Sequence, residues 1–454
     1  MTVWPLLLVA AVLAVDSGLG LSVWPSDQSL LILLVATIPM LVVVIMTWSR
    51  CVFIARQVQA GRLQSLPEAA LILKVARWLL VINALFVIVM TDWLAVVRNQ
   101  MGNAVLLDEL VVLMPVLAGM FMLGLAWFPV EHALAKRQGD RMKGRLDYAW
   151  SQFSIHCLLV LTPALVILAI MECVEGIRMP GWKGLGLQLV TGALVVVLFL
   201  GMPLIVRLIL AVKPLEHGPL RERLDQVCVR HGVGVRDILL WRTGGVMLNA
   251  AVVGLMGVCR YVLLTDTLVR VLPDEQSEAV MAHEIGHVRL RHMPWLFGVI
   301  VSLVLLVEAI LSPLGTINQF GGLVHLGILL GVVWGGLGWV SRRFEQQADT
   351  FAVLHFTGQS EEAGQSGVPL EAIAHVVGAL RAVAWMNGDV GQRSSWRHGS
   401  IAYRCSNLEK LAGCAPGKLP IDTVVGRIKL TTVIVGVVGL AALIAMSNGM
   451  GHDV

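Results

Sequence analysis

The sequence predicts a mainly α-helical, polytopic membrane protein with about nine transmembrane helices. It also predicts a cytoplasmic module that contains a small β-hairpin or sheet. Three observations carry this. Of 454 residues, 57% are hydrophobic and only 14% charged, against the roughly 25% charge of a soluble domain, and the mean hydropathy is +0.79. Apolar runs of about twenty residues recur along the chain. They are interrupted after residue 213 by a stretch of mixed charge and short β-branched runs.

The first run, residues 4–24, is apolar apart from Asp16 and lacks the basic start of a secretory signal, so it reads as a span. Further spans follow at roughly 28–48, 70–97, 104–130, 153–173 and 187–212. The loops between them are asymmetric. Arg50, Arg56, Arg62, Lys136, Arg137, Arg141, Lys143 and Arg145 fall on one side, against Arg98, Arg178 and Lys183 on the other. The richer side is expected in the cytoplasm, the inner face of the cell membrane in a bacterium, and the sixth span returns the chain there. Asp16, Asp92, Asp108 and Glu109 sit near span ends, at the expected depth of the headgroups.

Residues 1–212 thus form an N-terminal bundle, and 213–293 open a different kind of segment. Residues 213–241 carry a helical period that stops at His231-Gly232. His217 and His231 read there as solvated or capping residues. From Gly244 to Asp266, β-branched runs broken by Gly254 and Gly257 read as a β-hairpin.

The next stretch, PDEQSEAVMAHEIGHVRLRHM at 273–293, organises the chain. Pro273 suits a first helical position, Asp274 and Glu275 favour the positive end of the helix, and Ala279, Val280 and Ala282 form an apolar face. On such a helix His283 and His287 stand one turn apart, so both imidazoles face one way and can share a tetrahedral zinc ion. Glu284 then lies beside the open side of the site, where a carboxylate can accept a proton from an attacking water.

Residues 294–341 form a membrane hairpin, Trp295–Leu311 and roughly 322–340, joined by the uncharged SPLGTINQF. Glu308 and His325 lie inside these spans and are expected to pack or hydrogen-bond within the bundle. The second helix runs on into Ser341–Ala352, where Glu345 and Asp349 are four apart and share a face. From these residues alone two readings stay open. One acid is a metal ligand and the other supports a ligand histidine, or the two are a solvated acidic pair beside Arg342 and Arg343. Residues 342–427 continue with a Gly/Ser/Glu-rich loop at 357–369, an amphipathic helix at 370–386 and a loop-rich stretch, before a last span at about 428–447 in the segment 428–454.

HEIGH, the later Glu345-x-x-x-Asp349 in FEQQADTFA, and the apolar hairpin between them resemble the integral-membrane zinc endopeptidases typified by the CAAX prenyl protease and the heat-shock protease HtpX. The resemblance covers about residues 215–415. It implies a zincin-like metallopeptidase module with one zinc per chain, held by His283, His287 and Glu345. Glu284 would be the base and Asp349 the support behind the ligands. Leu248-Asn249-Ala250 and the run from Cys259 to Asp266 resemble the strand pair before the zinc helix, with Asn249 and Ala250 expected along the edge that binds substrate. Trp396–Arg404 resembles the family's histidine-proline segment, which implies that His398 and Arg404 help hold the substrate or its developing oxyanion. Gly399 stands where that segment has proline.

The resemblance thus implies hydrolysis of peptide bonds in membrane or membrane-associated proteins at the cytoplasmic interface. It leaves open quality control, processing of prenylated C-termini, and a non-proteolytic sensor or scaffold that keeps the zinc site. Site-two-type intramembrane proteases are set aside, because their Asn-Pro-Asp-Gly motif is absent. The implied partners are a protein or peptide substrate and the lipid bilayer. A net charge of +4 scattered over loops does not suit nucleic acid. Seven cysteines, odd in number and without a CxxC pair, suggest neither a thiolate metal site nor a disulfide framework.

Overall fold

The computed structural model describes residues 4–450 except 16, 17, 19, 22, 103–105, 139–143, 177–184, 211, 244–247, 315–318, 358–366, 387–394, 417 and 418. Most of the expected loop at 357–369 (residues 358–366) and part of the 387–425 stretch, with loop residues such as Arg141, Lys143, Arg178 and Lys183, lie outside the described residues. The chain divides into two units, Met1–Ala211 and Val212–Val454.

The first unit is helical: α1 (Trp4–Ala14), α2 (Ser29–Gln59), α3 (Leu66–Met90), α4 (Trp93–Met101), α5 (Leu107–Gln138), α6 (Arg145–Phe153), α7 (Leu159–Gly176) and α8 (Leu185–Ile209). A π-helical stretch, Ser154–Leu158, joins α6 to α7 in one apolar run. The core of the unit interleaves Ile32, Met40 and Val44 of α2 with Leu80 and Val81 of α3, and with Leu113, Val116 and Leu123 of α5. The outward faces keep large apolar side chains such as Leu30, Ile45, Ile82 and Met114 exposed, as lipid-facing helices do.

The second unit opens with β1 (Val212–Pro214), α9 (Pro219–Arg230), β2 (Asp237–Trp241), β3 (Ala250–Val253) and β4 (Tyr261–Thr265). The short α10 (Asp266–Val271) then leads into the histidine helix α11 (Asp274–Arg289). It continues with α12 (His292–Leu311), α13 (Gln319–Thr357), α14 (Leu370–Met386), α15 (Ile401–Glu409) and α16 (Pro420–Met450). The strands form one sheet in the order β1-β2-β4-β3, with β4 parallel to β2 and antiparallel to β3. The expected hairpin is the β3–β4 pair. β1 and β2 enlarge it to a mixed sheet that the short apolar run Ile238–Trp241 had not signalled.

Pro273 caps α11 rather than opening it, and Arg291 in the left-handed region (φ 58°) turns the chain directly into α12. α13 runs unbroken from the apolar stretch through Glu345 and Asp349 to Thr357. Met281, Ala282 and Ile285 of α11 pack against Ala352, Val353 and Phe356 of α13, Val262 and Leu264 of β4, and Ile373 and Val376 of α14. At the crossing of α11 and α13, Gly286 faces Phe351 so closely that a Cβ there would lie 3.0 Å from the ring. The small residue in HEIGH is what lets the two site-bearing helices meet.

Among the described residues, seven helices are long and apolar enough to cross a membrane, and the bent pair Gly192–Leu198 and Leu200–Ile209 makes an eighth. The protein is an integral membrane protein. The ninth expected span, 4–24, is represented by the eleven residues of α1, with part of the run outside the described residues. Inside the hairpin, His325 Nε2 lies 3.0 Å from Glu308 Oε1, the expected bond within the bundle. Asp92 caps α4 and accepts the Ser26 N–H at 3.1 Å. Asp108 and Glu109 do not reach outward to headgroups as expected: both are buried, because Arg98 draws them inward.

Candidate metal centre

Helix α11 places His283 and His287 one turn apart, and the site closes when α13 brings Glu345 against them. His283 Nε2 and His287 Nε2 are 3.2 Å apart. Glu345 Oε2 lies 3.6 Å from the first and Glu345 Oε1 3.6 Å from the second. A tetrahedral zinc ion with arms of about 2.0–2.1 Å separates its ligands by roughly 3.3–3.4 Å. One ligand atom from each of the three residues lies within 4.8 Å of the other two, close enough to share one ion, and two imidazoles with one carboxylate are a zinc donor set.

Asp349, one turn beyond Glu345, does not join this triangle. Its Oδ1 lies 2.9 Å from the other ring nitrogen of His283, Nδ1. A carboxylate at Nδ1 leaves Nε2 to face the metal. Arg404 of α15 closes the back of the site. Its Nε and one terminal nitrogen bind Asp349 at 2.7 and 2.6 Å, and its other terminal nitrogen lies 3.3 Å from Glu345 Oε2. Arg404 is buried and all three of its nitrogens are engaged with these two acids. These contacts make it a strut behind the ligands.

His398 is half-exposed, with Nδ1 2.9 Å from Glu345 Oε1. A tight turn presents it: Ser395 and Gly399 exchange backbone hydrogen bonds, and the His398 N–H donates to Ser395 Oγ. Gly399 has φ +73°, a conformation closed to proline, whose ring holds φ near −65°. Departure from the histidine-proline pattern therefore goes with a different backbone, not merely a different side chain. The turn is moored to α13 by Trp396, which packs on Trp334 and whose carbonyl accepts a hydrogen bond from Arg342.

Sequence spacing alone names no partner behind His287. Its Nδ1 lies 2.9 Å from His292 Nδ1, His292 Nε2 lies 3.0 Å from Gln347 Oε1, and the Gln347 amide donates to Asp422 Oδ1 at 2.6 Å. One assignment of protons satisfies every link: His287 Nδ1–H donates to His292, and His292 Nε2–H to Gln347. That assignment leaves the His287 Nε2 lone pair toward the metal position. His292 is held flat by Phe344, with ring centroids 4.4 Å apart and planes 9° apart. The signal was present in the spacing, since His292 follows His287 by five residues and Gln347 follows Glu345 by two, but only the packing of α13 and α16 reveals the partners. On another side of α11, His231 caps α9 as expected and also bonds His355, which bonds Glu278.

Electrostatics follow from this burial. Desolvation works against a charged His283, but the Asp349 and Glu345 carboxylates outweigh it and hold the imidazolium up to about 10. Burial and the neighbouring His283 charge push His287 well below the ordinary histidine value, so it is neutral. Burial raises Glu284 to about 7, with the Glu345 charge adding to the rise and the His283 charge opposing it. The Val252 N–H of β3 hydrogen-bonds the Glu284 carboxylate, which ties the edge strand to this side of the site. Once a metal displaces the His283 proton, Glu284, Glu345 and Asp349 against Arg404 leave a formal charge of −2, which a divalent ion balances.

Residues 235–368 match peptidase family M48. The matched stretch holds the β2-β4-β3 part of the sheet, the histidine helix and the whole of α13, and so is similar to a metallopeptidase where the ligand triangle lies. It ends before His398 and Arg404. The crystal structure of S. mikatae Ste24p aligns at a TM-score of 0.49 with 15% sequence identity, over 90% of this chain and 99% of that chain. No curated protein matches the sequence significantly.

Two outcomes test the centre. His283 carries a proton below about 10, and zinc must displace it. Affinity of metal-stripped protein for zinc should therefore rise about tenfold per pH unit between roughly pH 6 and 8, as read by competition with a chromophoric chelator; a flat profile would contradict the assignment. Gln347→Leu breaks the chain behind His287 and should weaken zinc binding by about 10–100-fold with the helical content unchanged.

Proposed function

We propose that this protein is a membrane-bound zinc endopeptidase that cleaves membrane or membrane-associated proteins at the cytoplasmic face. The observation that carries the proposal is the convergence of His283, His287 and Glu345, with ligand atoms within 4.8 Å of one another, and Glu284 next to His283 in the chain. When bound, one zinc per chain would supply Lewis acidity to the scissile carbonyl and make a water acidic enough to attack near neutral pH. Glu284, raised to about 7 by its burial, accepts the proton of the attacking water and returns it to the leaving amine. Arg404 and Asp349 keep Glu345 and His283 aimed at the metal position. His398 stands at the exposed side of Glu345, where it can meet the substrate carbonyl oxygen.

The sheet supplies a place for an extended peptide. β3 is an edge strand. Asn249 exchanges bonds with Thr265 of β4, and Ala251 and Val253 continue that inward set by the strand's alternation. Ala250 and Val252 therefore turn their backbone groups outward, and Val252 is the residue that meets Glu284. A substrate strand added along Asn249 and Ala250 would run toward the base. The cytoplasmic side rests on the excess of basic residues in the loops of one side. Depth at the membrane interface is supported by continuity: α11 passes within two residues into α12, and α13 carries Glu345 on the same helix as an apolar span.

Glu284→Gln should keep zinc and lose about 10²–10⁴ in turnover, and the inactive protein should retain what it would have cut. Mass spectrometry of the co-purified chains then separates prenylated C-termini from misfolded membrane proteins. Wild-type cleavage of a fluorogenic peptide by the variant would sink the mechanism, and an inert wild type with zinc in place would favour a sensor or scaffold. Ala250→Pro removes an outward donor without touching the β4 ladder and should raise KM for an extended peptide with zinc content unchanged; an unaltered KM would place the substrate elsewhere.

A further inference from the structure

A second cluster of acids lies in the N-terminal unit, far in sequence from the histidine helix. Asp108 and Glu109 occupy the first turn of α5, where the helix dipole favours negative charge. Asp108 is fully enclosed and Glu109 is 4% exposed. Arg98 of α4 donates from Nε to Asp108 Oδ2 at 2.6 Å and from a terminal nitrogen to Glu109 Oε1 at 3.2 Å. Those bonds use one oxygen of each acid. The other oxygens, Asp108 Oδ1 and Glu109 Oε2, are buried with no hydrogen-bond partner among the described residues.

A third carboxylate converges on the same place. Glu172, near the end of α7, accepts the Leu106 N–H at 2.9 Å, and Leu106 is held in the left-handed region at φ 67°, an uncommon state for a side chain of its size. One ligand atom from each of Asp108, Glu109 and Glu172 lies within 4.8 Å of the other two. Hard cations with oxygen arms of about 2.3–2.6 Å bridge ligands up to roughly that spread. Three carboxylates against one guanidinium leave a formal charge of −2, the same balance as at the histidine centre.

We propose that Asp108, Glu109 and Glu172 form a second metal site, for a hard divalent cation of the calcium type, which ties α5 and the end of α7 together. An all-oxygen donor set selects Ca2+ or Mg2+ over zinc, and the spread of the three acids favours Ca2+, whose coordination is wider and more adaptable. A single proton shared between Asp108 and Glu109 is the competing occupant. It would leave one negative charge uncompensated.

The test uses the full-length, zinc-loaded protein in detergent, titrated calorimetrically with Ca2+ and separately with Mg2+, and melted with and without each ion. One Ca2+ per chain is expected, with a dissociation constant below about 1 mM and a Tm that climbs with Ca2+ concentration. Glu109→Gln and Glu172→Gln should each weaken that binding at least about tenfold while zinc content stays the same. A wild type that binds neither ion at about 10 mM, ten times the weakest constant expected, overturns the proposal and leaves the proton as occupant. Ca2+ binding that survives both substitutions overturns it too, because the ion then sits elsewhere. If a variant fails to fold, the wild-type titration still decides.

Discussion

The second unit depends on burying charge on α13 against α11. Glu345 and Asp349 are four residues apart and both almost fully enclosed, and carboxylates are tolerated in such surroundings only when paired and hydrogen-bonded. Arg404 provides the pairing by spanning both acids, and His283 and His287 provide the rest. Removing one partner from a buried pair costs about 3–5 kcal/mol. The acids, the arginine and the histidines are therefore held as one set, and the rigidity that a metal centre needs follows from the cost of separating them.

The approach of the two helices makes this set possible. Gly286 lets α11 lie against Phe351, and the apolar cluster of Met281, Ala282, Ile285, Ala352, Val353 and Phe356 fixes the register. That packing sets Glu345, six residues before Phe351 on α13, against the two imidazoles on α11. Behind them, His292, Gln347 and Asp422 carry the support of His287 across α13 to α16. The apolar helices thus do more than anchor the unit, because their polar ends finish the ligand shell.

The same electrostatic logic distinguishes the two acidic clusters from ordinary surface charge. In each, three carboxylates meet one guanidinium. They differ in donor chemistry. Imidazole nitrogens at the α11 site suit zinc, whereas an oxygen-only set on α5 and α7 suits a harder ion. Exposed pairs such as Arg381–Glu409 are screened by solvent and carry no comparable constraint.

Local periodicity made much of this legible in the sequence. Hydropathy marked the long helices, because a span must satisfy its backbone internally and show apolar side chains to lipid. The four-residue spacings of His283 with His287 and of Glu345 with Asp349 marked two faces, because a helix repeats every 3.6 residues whatever surrounds it. The β3–β4 hairpin was visible in its β-branched runs, while β2 was not, since a short apolar run reads equally as strand or helix until a neighbour pairs with it. Which side chains share a turn and which segments avoid water can be read from local order along the chain. That Glu345 faces the imidazoles while Asp349 stands behind them, that Arg404 braces both acids, that His292 links to Asp422 through Gln347, and that Asp108 and Glu109 turn inward emerges only once the helices are packed. Each of these depends on which residues, distant in the chain, are packed within hydrogen-bond reach, and no local periodicity encodes that.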